Sequence, residues 1–144
     1  MTKVRPLYTG LRVRNLDRSI RFYRALGFRR TLRLRNPLGE AAQLRHPVNR
    51  FTLELNFFPK GSEAWAPLRR GTELDHLGFE VDDVDATVKR LVRAGGKVVR
   101  EPYATGIWIE GKGQFHGRAA YVADPDGVWI ELMGPQPPTA RRGR

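Results

Sequence analysis

Cysteine is absent from all 144 residues, which excludes disulfides, thiolate zinc sites and cysteine nucleophiles and leaves the redox compartment open. No apolar run approaches the roughly 18 residues that crossing a bilayer requires. The opening Met1-Thr2-Lys3-Val4-Arg5-Pro6 also lacks the hydrophobic segment of a secretory leader. These absences predict a soluble, cytoplasmic protein with no membrane partner. Histidine is scarce, with His46, His76 and His116 the three in the chain, so imidazole chemistry has to come from them. Acidic residues are scarce in one half only: residues 1–70 hold 4 Asp or Glu against 16 Lys or Arg, and residues 71–144 hold 11 against 10. The net charge of +11 invites a nucleic-acid reading, but the arginines are scattered through strand and helix patterns. Without a basic helix or an aromatic-interleaved stripe they read first as solvated surface, next as a pocket for an anionic ligand, and not as a nucleic-acid footprint.

What the chain does have is an internal duplication. Leu11 to Ile20 matches Phe79 to Val88 at a constant offset of 68, and Phe51 to Leu55 matches Val128 to Leu132 at an offset of 77. Each copy reads β-α-β-β-β. In the first, a strand Leu7 to Val13 leads to a helix capped by Asn15 or Asp17 and carrying Ile20, Phe22, Tyr23 and Leu26, with Gly27 as its stop. A strand Phe28 to Leu34 follows, then a hairpin of Glu40 to Arg45 and Arg50 to Phe57 across a surface turn at His46. A linker, 59–72, is expected to be pinned by Trp65. The second copy runs from a strand Leu74 to Val81, through a helix Val84 to Ala94 with Val84, Val88, Leu91 and Val92 as its apolar stripe, to a short strand Lys97 to Arg100. A long glycine-bearing segment from Pro102 to Gly117 carries the nine extra residues and reads as a loop suited to substrate contacts. Strands Arg118 to Ala123 and Val128 to Met133, joined by the turn Asp124-Pro125-Asp126-Gly127, close the copy. The expected fold is α+β: two tandem βαβββ modules, about 6–58 and 73–134, in a single domain 1–134 with a basic flexible tail 135–144.

Side-chain alternation assigns each outer strand a polar face. These faces hold Tyr8, Gly10 and Arg12; Thr52, Glu54 and Asn56; His76, Gly78 and Glu80; and Trp129, Glu131 and Met133. The opposite faces, with Leu11, Val13, Leu53, Leu55, Leu77, Phe79, Ile130 and Leu132, must cover the helices. Helices on one side of each sheet leave the polar faces lining a concavity, where Glu54 and Glu131 would each lose several kcal/mol by desolvation unless a cation or hydrogen-bond donors meet them. A divalent metal and Arg12 are the two cations that fit. Arg12 and Glu80 occupy equivalent positions and either pair together or leave Arg12 to fork onto a substrate carboxylate or phosphate. His116 is a surface residue or a substrate contact; Trp108 and Trp129 are packing or an aromatic wall, and Trp129 shares a strand face with Glu131.

Taken together, the two βαβββ copies, the run Asp17 to Tyr23 followed by Leu26-Gly27-Phe28, and Asp124-Pro125-Asp126-Gly127 with Glu131 behind it resemble the vicinal oxygen chelate superfamily over about residues 6–134. That superfamily includes glyoxalase I, bleomycin-resistance proteins and extradiol dioxygenases. The resemblance implies a curved mixed sheet around a cup-shaped cavity, with metal ligands from the first and last strand of each copy. Of the glyoxalase-I-like set, Glu54, His76 and Glu131 match as ligands, and Tyr8 stands where the first ligand usually does. The implied cofactor is one divalent ion, Zn, Ni, Mn, Co or Fe. Glu54 or Glu131 would carry protons, and Tyr8, Arg12, Trp108, His116 and Trp129 would contact a small oxygenated substrate. The implied activity is a metal-dependent lyase or isomerase working through an enediolate-type intermediate. The alternative is a metal-free binding protein of the bleomycin-resistance kind. A non-haem iron dioxygenase would need a second histidine ligand that the matching positions lack. A homodimer is implied as well, each cup built from the first copy of one chain and the second of the other.

Overall fold

The computed structural model describes residues 8–69, 74, 76–109 and 113–138, without the side chains of Asn36, Ile107, Trp108, Ile109 and Phe115. Two compact units divide the chain, residues 1–70 and 71–144. The first contains β1 (Thr9–Arg12), α1 (Leu16–Arg24), β2 (Arg29–Asn36), β3 (Gly39–Arg45) and β4 (Thr52–Phe57). The second contains β5 (His76–Glu80), α2 (Val84–Arg93), β6 (Lys97–Ile109), β7 (Gly113–Ala123) and β8 (Trp129–Gly134). Their sheets are ordered β1-β4-β3-β2 and β5-β8-β7-β6, each with one parallel pair, β1 with β4 and β5 with β8, and two antiparallel ones. Among the described residues no helix is long and apolar enough to cross a membrane.

The duplication extends to the helix ends. Asn15 caps α1 by accepting from the Arg18 amide at 2.9 Å, and Asp83, 68 positions on, caps α2 by accepting from the Ala86 amide at 2.9 Å. Each helix places an aspartate in its first turn and arginines in its last, which suits its dipole. Both stop at a glycine with positive φ, Gly27 at +94° and Gly95 at +101°. The next amide, Phe28 or Gly96, reaches back to Tyr23 O at 3.2 Å or Leu91 O at 2.8 Å.

In the first unit the core is Leu11, Leu16, Ile20, Leu53 and Leu55 around the fully buried aromatics Phe22, Tyr23 and Phe28. His46 is half-buried against it, where a surface turn was expected. The imidazole packs edge-on to Phe28 with ring centroids 5.1 Å apart and its Nε2 lies 3.0 Å from Leu26 O. Space for it exists because residue 27 has no Cβ, which would come within 2.9 Å of Nε2. Residues 58–69 are strapped to β1 by two arginines: Arg12 Nη1 donates to Ala64 O at 2.9 Å and Arg14 Nη2 to Leu68 O at 3.2 Å. Trp65, expected to be the pin, stays 43% exposed.

In the second unit Leu77, Val84, Val88, Leu91, Ala120, Val122, Ile130 and Leu132 form the core. Val92, expected in the helix stripe, is 44% exposed, and Thr87 takes the buried place, completing an i, i+3, i+4, i+7 pattern with Val84, Val88 and Leu91. The expected loop from Pro102 to Gly117 is instead an extension of a hairpin. β6 and β7 have 13 and 11 residues where β2 and β3 have 8 and 7, so the strands absorb all nine extra residues. Pro102 is tolerated because β6 is an edge strand and the register shifts between Arg100 and Tyr103, sparing the ladder a missing N–H. Beyond β8, Gln136 Nε2 donates to Gly117 O at 2.7 Å, so the expected flexible tail is held at its start; residues 139–144 lie outside the described residues.

Two contacts hold the second unit's working edge. Asp124 is 4% exposed, and its Oδ1 accepts from the amides of Asp126 at 2.9 Å and Val128 at 2.8 Å, shaping the turn that launches β8. Arg118 on β7 grips Asp85 on α2 with two bonds, 2.5 and 2.8 Å. The bond to Arg118 lowers the Asp85 carboxyl below its usual range, and the same bond raises Arg118. Asp124→Ala is expected to lower unfolding free energy by about 1–3 kcal/mol, the range for leaving buried donors unmet, read as a reduced urea midpoint. Because the folded-state pKa of Asp85 is depressed, its contribution is present above the ordinary carboxylate pKa and fades as pH falls through the lower folded value. Asp85→Asn is therefore expected to flatten the loss of stability on acidification below about pH 4, measured by thermal melts across a pH series; an unchanged slope would refute the linkage.

Candidate metal and substrate site

In the second unit the parallel register sets His76 beside Trp129 and Gly78 beside Glu131, while the antiparallel register sets Tyr121 on the other side of Glu131. These residues share the face of the sheet opposite Ile130 and Leu132. Glu131 has its side chain 16% exposed, with His76 Nε2 3.0 Å from its Oε2. Its Oε1 accepts from the Tyr121 hydroxyl at 2.7 Å. Burial, followed by the bond to Glu131, pushes the Tyr121 hydroxyl up to about 12, so at neutral pH it is a donor. The Tyr121 ring packs against Trp129 at 5.7 Å and His76 at 6.1 Å. A Cβ added at Gly78 would meet nothing within 4 Å, so the space directly over Gly78, beside Glu131, is open.

The first unit repeats this row. Gly10 pairs with Glu54 in the parallel register and Gln43 with Glu54 in the antiparallel one. Gln43 Nε2 donates to Glu54 Oε2 at 2.9 Å. Tyr8, two residues before Gly10, is 47% exposed. Arg12 donates to Ala64 O and lies over the Phe58 ring at 5.2 Å. It lines a cavity of about 420 Å³ with Arg14, Asn56, Phe58, Lys60 and Trp65. Cations and aromatic rings in one wall suit a ligand with an anionic end.

The structure thus brings His76, Trp129 and Glu131 together in one unit and sets Glu54, Gly10 and Arg12 on one face of the other. His116 is separated from the first group. It is exposed on β7 opposite Gly106, five residues from Tyr121, an odd spacing that turns it to the opposite face, the one from which Arg118 meets α2. The Trp108 side chain lies outside the described residues. Sequence reasoning missed Tyr121 and Gln43. The signal that finds them is cross-strand pairing, since each stands opposite a glutamate once the last two strands of its copy are paired.

The imidazole and carboxylate of His76 and Glu131 in the second unit, and the carboxylate of Glu54 in the first, are donor types that suit Zn, Ni, Mn, Co or Fe. Among the described residues no three His, Asp or Glu side chains group closely enough to hold a metal ion.

The family model of the glyoxalase/bleomycin resistance protein/dioxygenase superfamily matches residues 5–132. A probable lactoylglutathione lyase of Vibrio cholerae is 32% identical over 145 residues, covering 92% of both chains. The lactoylglutathione lyase of Neisseria meningitidis serogroup A is 33% identical over 144 residues, covering 90% of both. Among solved structures, a glyoxalase family protein from Bacillus cereus superposes with a TM-score of 0.69 at 22% identity, covering 93% of this chain and 95% of that one. A glyoxalase I variant from Zea mays superposes at 0.67 with 26% identity, covering 88% of this chain and 43% of that one. With two matching βαβββ units, paired glutamate rows and a family match across most of its length, the chain belongs to the glyoxalase/bleomycin resistance protein/dioxygenase superfamily.

Proposed function

We propose that the protein is a glyoxalase-type lyase that interconverts a 2-hydroxyacyl thioester of a small thiol, such as lactoylglutathione, with the hemithioacetal from which it forms. The observation that carries this is the Glu131 carboxylate, fixed by Tyr121, facing His76 at 3.0 Å on an open sheet face; the relatives named lactoylglutathione lyase support it. The chemistry asks for a base that takes a proton from a carbon next to a carbonyl and returns it to the neighbouring carbon, through an enediolate. Glu131 or Glu54 does this. Gln43 holds Glu54 at one oxygen, Tyr121 and His76 meet the two oxygens of Glu131, and a glycine, Gly10 or Gly78, beside each leaves room for a substrate carbon to approach. Trp129 and Tyr8 flank that space, and Arg12 offers a guanidinium to an anionic end of the substrate. A divalent ion held by Glu54, His76 and Glu131 would supply Lewis acidity for two neighbouring substrate oxygens. We propose further that the two units act as one domain, 1–134, in a cytoplasmic homodimer, which a mass of twice 16.4 kDa in solution would support.

Tyr8 at the usual first-ligand position favours a second reading, a metal-free protein that sequesters a compound on its aromatic face. Elemental analysis after loading with Zn²⁺, Ni²⁺, Mn²⁺, Co²⁺ or anaerobic Fe²⁺ separates the two. The lyase reading expects about one ion per chain and thioester formation from methylglyoxal and glutathione, followed by absorbance. No ion retained under any loading would sink it. Glu131→Gln is expected to lower kcat by about 10²- to 10⁴-fold, the usual span for a lost general base, and His76→Ala to abolish ion retention.

A further inference from the structure

The two open faces duplicate more than a glutamate. Across β1, β4 and β3 the row reads Gly10, Glu54, Gln43, and across β5, β8 and β7 it reads Gly78, Glu131, Tyr121. In both, a glycine stands on one side of the carboxylate and a neutral donor closes the other, at 2.9 Å from Gln43 and 2.7 Å from Tyr121. The place of the donor recurs although its chemistry does not, an amide in one copy and a phenol in the other. A half-buried carboxylate needs partners, but stability alone does not require a neutral donor at the same register position in both units, nor that in Glu131 the donor take Oε1 while Oε2 faces the imidazole of His76 at 3.0 Å.

We propose that Tyr121 is a positioning residue for Glu131, its hydroxyl engaging Oε1 so that Oε2, the oxygen turned toward His76, is the one offered to a bound cation, and that Gln43 plays this part for Glu54. The proposal rests on the metal-dependent reading above. Tyr121 is itself fixed between the rings of His76 and Trp129, so the bond has a defined direction. With Oε1 engaged by the Tyr121 hydroxyl, Oε2, beside His76 Nε2, is the oxygen that a cation would meet.

The test is Zn²⁺ affinity, by competition with a chromophoric chelator, on the full-length chain under conditions where circular dichroism shows each variant folded. Tyr121→Phe keeps the ring and removes the hydroxyl, and is expected to weaken Zn²⁺ binding about 10- to 100-fold, as loss of an outer hydrogen bond to a ligand does. Tyr121→Gln places the first unit's donor at the equivalent register position and is expected to recover part of that loss. Wild-type protein that binds Zn²⁺ while Tyr121→Phe binds within twofold of it overturns the inference and leaves the metal reading standing. Equal weakening in the Phe and Gln variants also overturns it, because a donor would then not be what matters. Wild-type protein that binds no Zn²⁺ overturns the metal reading and this inference with it.

Discussion

Parallel pairing of the first and last strands, β1 with β4 and β5 with β8, is the constraint from which the rest of each unit follows. Parallel neighbours cannot be joined by a tight turn, so the chain must leave through a helix and return by other strands. Three strands joined by two antiparallel pairings bring it back beside its start. The helix covers one face, so Leu53 and Leu55, or Ile130 and Leu132, are buried beneath it. Strand periodicity then puts Glu54 and Glu131, which lie between those residues, on the other face. A slip of one residue would bury the glutamates and expose the leucines, at a penalty of several kcal/mol for an unpaired buried carboxylate. The register that builds each core therefore also delivers each carboxylate to the open face.

The two units satisfy this constraint with the same devices and diverge where chemistry has room to differ. Caps at Asn15 and Asp83 and glycine stops at Gly27 and Gly95 hold the helices alike. Divergence lies in the third and fourth strands in sheet order: the second unit lengthens its edge hairpin, takes the arginine that grips its first-turn aspartate from β7 (Arg118 on Asp85) where the first takes it from β2 (Arg33 on Asp17), and replaces an amide donor with a phenol. Those changes sit on β6 and β7, away from the parallel pair that fixes the register.

How far this was legible in the sequence depends on whether a feature is local. The offset of 68 found the two copies, and local pattern offered Asn15 or Asp17 as the first helix's cap, because caps and alternation are written within a few residues. It also put His76, Glu54 and Glu131 on polar faces. Tyr121 and Gln43 were not found, since their role exists only once β7 meets β8 and β3 meets β4. Pro102 and its neighbouring glycines read as a loop because local breaker chemistry cannot reveal that β6 is an edge strand, where a bulge accommodates proline. His46 read as surface because its pocket is made by the missing Cβ of a residue 19 positions earlier, Gly27. Thr87 was not read as part of the buried stripe because its hydroxyl looks polar, yet it bonds back to Asp83 O at 2.7 Å and is buried.

The expectation that an arginine or a metal must meet the two glutamates can now be refined. The chain carries 26 Lys and Arg, and it uses guanidinium pairs elsewhere, Arg33 on Asp17 and Glu40 and Arg118 on Asp85. Arg12, the cation nearest in sequence pattern, spends its donor on Ala64 O instead. Among the described residues Glu54 and Glu131 are met by Gln43, and by Tyr121 and His76. A guanidinium fork would occupy both carboxylate oxygens and cancel the charge. A neutral donor at one oxygen offsets part of the desolvation and leaves the negative charge in place. Among the described residues the arginine pairing found at Asp17, Glu40 and Asp85 is thus kept off both rows, Gln43 meeting Glu54 and Tyr121 and His76 meeting the two oxygens of Glu131.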